Sequence, residues 1–260
     1  MRGPRTSSPP AMKPTYPTEL IGTYFLVLTV GLTVVGGTPL APLAIGAALM
    51  IMVYMGGHVS GAHYNPAVTL AVWMRGKLPG RDVVPYWIAQ VLGALLAALT
   101  VRVVTGKTFA PAPGADVGLG SALLVEALFT FALAIVVLNA ATARQTEGNS
   151  FYGLAIGFTI VVAAFAGGPV SGGAFNPAVG IGPALVRAFA GGPEAATALA
   201  PVWIYVVGPL GGAAVAALFF RYQNPEPVPG RAIPAAPEYE PSVVEGDYTA
   251  PKPGSAAGAR

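Results

Sequence analysis

Ser60-Gly-Ala-His-Tyr-Asn-Pro-Ala-Val68 and Ser171-Gly-Gly-Ala-Phe-Asn-Pro-Ala-Val179 match at six of nine positions and lie 111 residues apart. In each, Asn is a strong helix N-cap, and the Pro after it suits the first helical position, where it has no N–H to lose and a φ already set. A single Asn-Pro pair marks a helix start and nothing more. Two such pairs, equivalently placed in charge-free apolar sequence, mark a repeat whose helices begin at membrane depth. The apolar pieces that follow, Ala67 to Arg75 and Ala178 to Phe189, are about 10–12 residues long and reach about half way across a bilayer. A helix start at that depth leaves N–H groups unpaired, which is tolerated only inside protein or beside a water-filled cavity.

The surrounding sequence supplies the membrane. No Asp, Glu, Lys or Arg occurs in the 55 residues between Glu19 and Arg75, and further charge-free runs cover 83–101, 127–143, 148–186 and 195–220. These predict six full spans near 19–36, 40–58, 83–104, 119–140, 151–168 and 197–220. Three spans separate equivalent points of the repeat, so the second half is inserted upside down relative to the first. The halves share an acidic entry: Glu19 precedes Asn65 by 46 residues and Glu126 precedes Asn176 by 50. One half-helix then enters from each face, and their N-termini meet near the midplane.

Composition agrees. The chain of 260 residues is 54% hydrophobic and 10% charged, with mean hydropathy +0.63, whereas soluble domains carry about 25% charged residues. With no Cys and two His, disulfide scaffolds, thiolate sites and cysteine nucleophiles are excluded, and no metal site is expected. The 14 Lys and Arg are scattered, so the net charge of +3 does not point to nucleic acid. Arg2, Arg5, Lys13, Arg75, Lys77, Arg81, Arg144, Arg221 and Arg231 fall on the side of the termini, against Arg102, Lys107 and Arg187 opposite, which predicts a multi-pass plasma-membrane protein with both termini cytoplasmic. Residues 1–15 and the Pro- and acid-containing segment 222–260 are expected to be disordered. The channel domain is 16–221, with repeats at about 16–105 and 118–221.

At these residues the sequence resembles the major intrinsic protein family, the aquaporins and glycerol facilitators. The likeness extends to Thr18-Glu-Leu-Ile-Gly-Thr, Tyr86-Trp-Ile-Ala-Gln-Val-Leu-Gly, Val125-Glu-Ala-Leu-Phe-Thr-Phe and Trp203-Ile-Tyr-Val-Val-Gly-Pro. It implies an all-α membrane protein of six transmembrane helices and two re-entrant half-helices, with a pore in each protomer of a homotetramer embedded in lipid. The motif residues would be Asn65, Pro66, Ala67, Asn176, Pro177 and Ala178, excluding protons and cations through the two Asn side chains and the positive ends of the half-helix dipoles. Symmetric counting places Leu26, Leu49, Leu133 and Ile160 on an apolar wall, facing the carbonyls of Gly61, Ala62, His63, Gly172, Gly173 and Ala174. By resemblance, Glu19 and Glu126 support the re-entrant loops. His58 and Gln90 read as satisfied packing groups, and Gly22, Gly93, Gly208 and Gly212 as close helix crossings.

The family's outer constriction maps to Ile45, Ala164, Gly173 and Val179. Val179 stands where most members have Arg, so a wider, less polar filter is expected, open to ammonia, urea or glycerol-like solutes as well as water. No cofactor and no enzymatic activity are expected, since no nucleophile-base set or phosphate loop is visible. A solute facilitator with little water selectivity is one alternative. Inverted repeats with broken helices also build ion-coupled secondary transporters, although only Glu19 and Glu126 offer ionisable groups within the spans. A non-conducting structural membrane protein is the third reading.

Overall fold

The structure, a computed structural model, describes residues 14–193 and 195–225. Eight α-helices run in the order α1 (Thr15–Gly36), α2 (Ala41–Ser60), α3 (Pro66–Met74), α4 (Gly80–Thr105), α5 (Leu119–Thr142), α6 (Tyr152–Ser171), α7 (Pro177–Ala190) and α8 (Val202–Gln223), with a 3₁₀ turn at Arg144–Thr146. Six of them are 20–26 residues long and apolar enough to cross a membrane. The remaining two, α3 with 9 residues and α7 with 14, are the half-helices that follow the Asn-Pro pairs.

Several ends differ from the expected spans. α1 and α4 start earlier because Tyr16, Arg81 and Asp82 are helical although polar, and α2 and α6 continue to Ser60 and Ser171. The last span begins at Val202 rather than 197, since Pro201 opens the helix and residues 195–200 form turns. Thr15, Tyr222 and Gln223 are helical, which corrects the expected disordered ends at those positions. Most of the expected N-terminal and C-terminal disordered segments lies outside the described residues. Hydropathy marks where lipid is, whereas a helix continues until its backbone bonds find another outlet.

The two halves interlock. α1 packs on α2 and α4 as α5 packs on α6 and α8, and the half-helices cross over, α3 lying on α8 and α7 on α4. At the centre, α2 meets α6 through Gly46 and Gly157. A Cβ on Gly46 would lie 2.5 Å from the Gly157 carbonyl, and one on Gly157 2.5 Å from the Gly46 carbonyl, so the approach is reciprocal, as a pseudo-two-fold axis requires. Gly93 and Gly212 press against the Leu20 and Ala127 carbonyls, and Gly208 lies against Glu126 and Leu123, as close helix crossings. Gly22 does something else: its missing Cβ makes room for the ring of Tyr64, 2.1 Å from where that atom would stand. Gly46→Val is expected to force α2 and α6 apart and lower stability by at least about 1–3 kcal/mol, the usual cost of overpacking. Thermal unfolding of the detergent-solubilised protein checks this, and an unchanged midpoint would contradict the packing.

Away from the axis the surface is apolar. Phe25, Ile88, Leu124, Phe158 and Leu218 are exposed, which suits helices whose outer faces meet lipid. The interior is built from small residues, with Ala94, Ala97, Ala98, Ala213, Ala216 and Ala217 buried, because helix association in a membrane depends on close packing.

Candidate functional site

Two buried carboxylates hold the re-entrant loops in the same way. Glu19 accepts from Ser60 Oγ (2.6 Å), the His63 amide (2.9 Å), the Tyr64 amide (2.7 Å) and Gln90 Nε2 (2.8 Å). Glu126 accepts from Ser171 Oγ (2.7 Å) and the Ala174 and Phe175 amides (2.9 and 2.6 Å). Each Ser hydroxyl oxygen in turn accepts from the amide two residues on, Ala62 or Gly173, at 3.1 Å. Tyr86 donates to the Ser60 carbonyl and Tyr205 to the Ser171 carbonyl, at 2.7 and 2.6 Å. Both are the symmetric outer braces of the loops. The sequence analysis did not assign this role, and the signal for it is equal spacing: Tyr86 and Tyr205 each precede by seven residues the glycine, Gly93 or Gly212, that packs on the facing helix.

The braced loops turn into helix starts. Tyr64 and Phe175 sit at φ 49° and 48°, a conformation non-glycine residues adopt only under constraint, and the carboxylates supply that constraint at their amides. Asn65 Oδ1 then caps α3 at the Ala67 amide (2.8 Å), and Asn176 Oδ1 caps α7 at the Ala178 amide (2.9 Å). Pro66 and Pro177 follow at the first helical positions. The two N-termini face each other, each carrying roughly half a positive charge.

The Asn amides are less free than the sequence suggested. Asn65 Nδ2 donates to the Phe175 carbonyl (2.8 Å) and Asn176 Nδ2 to the Tyr64 carbonyl (2.9 Å). One hydrogen of each NH₂ therefore locks the opposite loop, and one remains.

A narrow cavity of about 40 Å³ runs between these elements. Roughly 10–15 Å³ holds one water, so the waist has room for about three. Leu26, Leu49, Leu133, Ile160, Ile45, Ala164, Val179, Asn65 and Asn176 line it, with Ala62, His63, Gly173 and Ala174 opposite. Among the described residues no hydrogen bond ends on the carbonyls of those last four. Two expected wall residues lie elsewhere. Gly61 lines the wide vestibule of about 740 Å³ on the side of Lys77 and Arg144. Gly172 borders neither space, because a Cβ there would meet the Ala112 backbone at 2.6 Å. Val30, Val68, Val137 and Ile156 also line the waist, a place the sequence analysis does not give them.

His63 contributes its ring as well as its backbone. Thr69 Oγ1 accepts from Gln90 Nε2 (2.9 Å) and donates to the Asn65 carbonyl (3.1 Å), so its remaining lone pair faces His63 Nδ1 at 3.1 Å. Hydrogen-bond economy thus assigns the ring proton to Nδ1 and leaves Nε2 an acceptor. Gln90 corrects its expected role as a satisfied group: its Oε1 is buried without a partner among the described residues. His58 lines the vestibule. Among the described residues no cluster of His, Cys, Asp and Glu is placed to hold a metal.

An inverted repeat whose half-helices meet at a water-sized waist defines a polytopic membrane protein with a re-entrant pore. The sequence profile of the major intrinsic proteins matches residues 15–220. The chain belongs to the major intrinsic protein family. It is 40% identical over 210 residues to Aquaporin NIP1-1 of Zea mays, covering 76% of this chain and 71% of that protein. It is 35% identical over 240 residues to Probable aquaporin NIP4-2 of Arabidopsis thaliana, covering 88% and 81%. Its fold is similar to the X-ray structure of the aquaglyceroporin from Plasmodium falciparum, with a TM-score of 0.71 and 22% identity over 79% of this chain and 94% of that one.

Proposed function

We propose that the protein is a passive channel conducting water and small neutral solutes through the waist between the crossed Asn side chains. The observation that carries this reading is a narrow cavity with room for about three waters, lined by apolar side chains and by the loop residues Ala62, His63, Gly173 and Ala174, whose carbonyls accept no hydrogen bond among the described residues. Such a path replaces part of a permeant's hydration without holding it tightly. The facing half-helix N-termini oppose cations and protons. The names of the plant relatives, aquaporins, agree. The distribution of Lys and Arg supports cytoplasmic termini, short loops and the absence of Cys agree with a plasma membrane, and the family resemblance supports a homotetramer.

The constriction of Ile45, Ala164, Gly173 and Val179 offers no side-chain donor, so it favours solutes that do not require one. Stopped-flow light scattering on proteoliposomes tests the reading by comparing water permeability with urea and glycerol uptake. Wild-type protein is expected to conduct water well above empty vesicles and to admit small solutes; flux equal to empty vesicles would refute the channel. Val179→Arg is expected to cut glycerol uptake roughly tenfold relative to water, since a guanidinium fills and polarises an apolar gap that discriminates by single carbon atoms. An unchanged ratio would remove Val179 from the filter.

A further inference from the structure

α2, the first re-entrant loop and α3 repeat as α6, the second loop and α7 at one constant offset: Ala41–Ser60 becomes Tyr152–Ser171, and Asn65 becomes Asn176, 111 residues on. Applying that offset to Ile45, Ala164, Gly173 and Val179 returns Ile156, Val53, Ala62 and Val68. The structure places these four together at the opposite end of the waist. Ala62 and Ile156, with His63 and Val137, line both the waist and the vestibule, while Val68 lines the waist and Val53 the vestibule, so the four flank the boundary, or neck, between the two spaces. Val137 and its counterpart Val30, each eleven residues after the buried Glu of its half, are both Val and leave the comparison unchanged. All four are buried.

The two rings are not equal. Ile faces Ile and Val faces Val, but Val53 stands opposite Ala164 and Ala62 opposite Gly173. Val has two more carbons than Ala and Ala one more than Gly, so the neck carries three extra side-chain carbons. The Ala62 methyl is also firmly held. Its φ is 51°, where a side chain costs energy that Gly would avoid, and its amide donates to Ser60 Oγ, which is anchored to Glu19. His63 borders both spaces, and its ring keeps Nε2 as an acceptor.

We infer that this inner neck, formed by Val53, Ala62, Val68 and Ile156 with His63 as its polar group, sets the largest solute the protein passes. Constrictions in series are limited by the tightest, and the neck is the tighter of two rings built on the same frame. The inference rests on the channel reading above. It locates size selection at the vestibule end, where the missing Arg has no part.

The test uses full-length protein in liposomes, measuring glycerol uptake relative to water permeability for wild type, Val53→Ala/Ala62→Gly, Val53→Ile and Ala164→Gly. The double variant is expected to raise the ratio roughly tenfold, the lower end of what a carbon atom or two discriminates in an apolar gap. Val53→Ile is expected to lower it, and Ala164→Gly to give less than half the gain of the double variant. Val53→Ile adds a single carbon, so it decides the matter even if the double variant elutes as aggregate. An equal or larger gain from Ala164→Gly, or inner-neck variants with the wild-type ratio, would overturn the inference while water flux upholds the channel. Wild-type protein without flux would overturn the channel reading and the inference with it.

Discussion

Replacing both Asn65 and Asn176 with Asp is expected to bring water permeability down to that of protein-free vesicles. Asp caps a helix as well as Asn does, and its second oxygen would still accept from the Ala67 and Ala178 amides, so both half-helices keep their starts. What changes is the crossing. A carboxylate oxygen would replace Nδ2 at 2.8 Å from the Phe175 carbonyl and at 2.9 Å from the Tyr64 carbonyl, setting acceptor against acceptor. Each orphaned carbonyl costs about 1–3 kcal/mol, and two charges would stand in a water-thin apolar path. Osmotic swelling measured by stopped-flow scattering, with elution volume in detergent as the check on folding, reads the result. Fast water flux through a folded double variant would mean the crossed bonds are dispensable.

Glu126→Ala is expected to lose the folded state rather than the filter alone. Its carboxylate serves the Ser171 hydroxyl and the Ala174 and Phe175 amides at complete burial. Removing it takes the acceptor from three donors, of which the Ser171 hydroxyl keeps only the Gly167 carbonyl at 3.3 Å; at about 1–3 kcal/mol for each orphaned amide the loss is a large part of the net stability of a typical domain, about 5–15 kcal/mol. Glu19→Ala orphans a fourth donor, Gln90 Nε2, and should be the more damaging of the two. Size-exclusion profiles and thermal melts in detergent check both. A Glu126→Ala protein that melts with the wild type would show that the loop holds its shape by packing alone.

Much of the site could be read from one chain because the repeat supplies an internal control. The match of Asn65 with Asn176 turned an ordinary helix start into a pair, and symmetric counting picked Leu26, Leu49, Leu133 and Ile160, all of which line the waist. Symmetry could not tell a wall residue from one covered by another segment. Gly172 was expected beside the path for the same reason as Gly61, yet the 108–117 loop packs its Ala112 backbone there. Nor could it give the destination of each Asn hydrogen, which depends on a carbonyl 110 or 112 residues away.

The sequence by itself determined six spans, the inverted repeat, the two helix starts at membrane depth and the carboxylates that enter with each half, because hydropathy, caps and spacing are local properties of the chain. Only the tertiary structure decided that the half-helices exchange partners, that each Asn locks the opposite loop, that Tyr86 and Tyr205 brace both loops, and that Ala62 and Ile156 stand where the waist borders the vestibule. Those features arise where segments far apart in the chain meet, as α2 and α6 also do through Gly46 and Gly157. The distances across that contact follow from how surfaces pack, and no pattern along one strand of sequence encodes them.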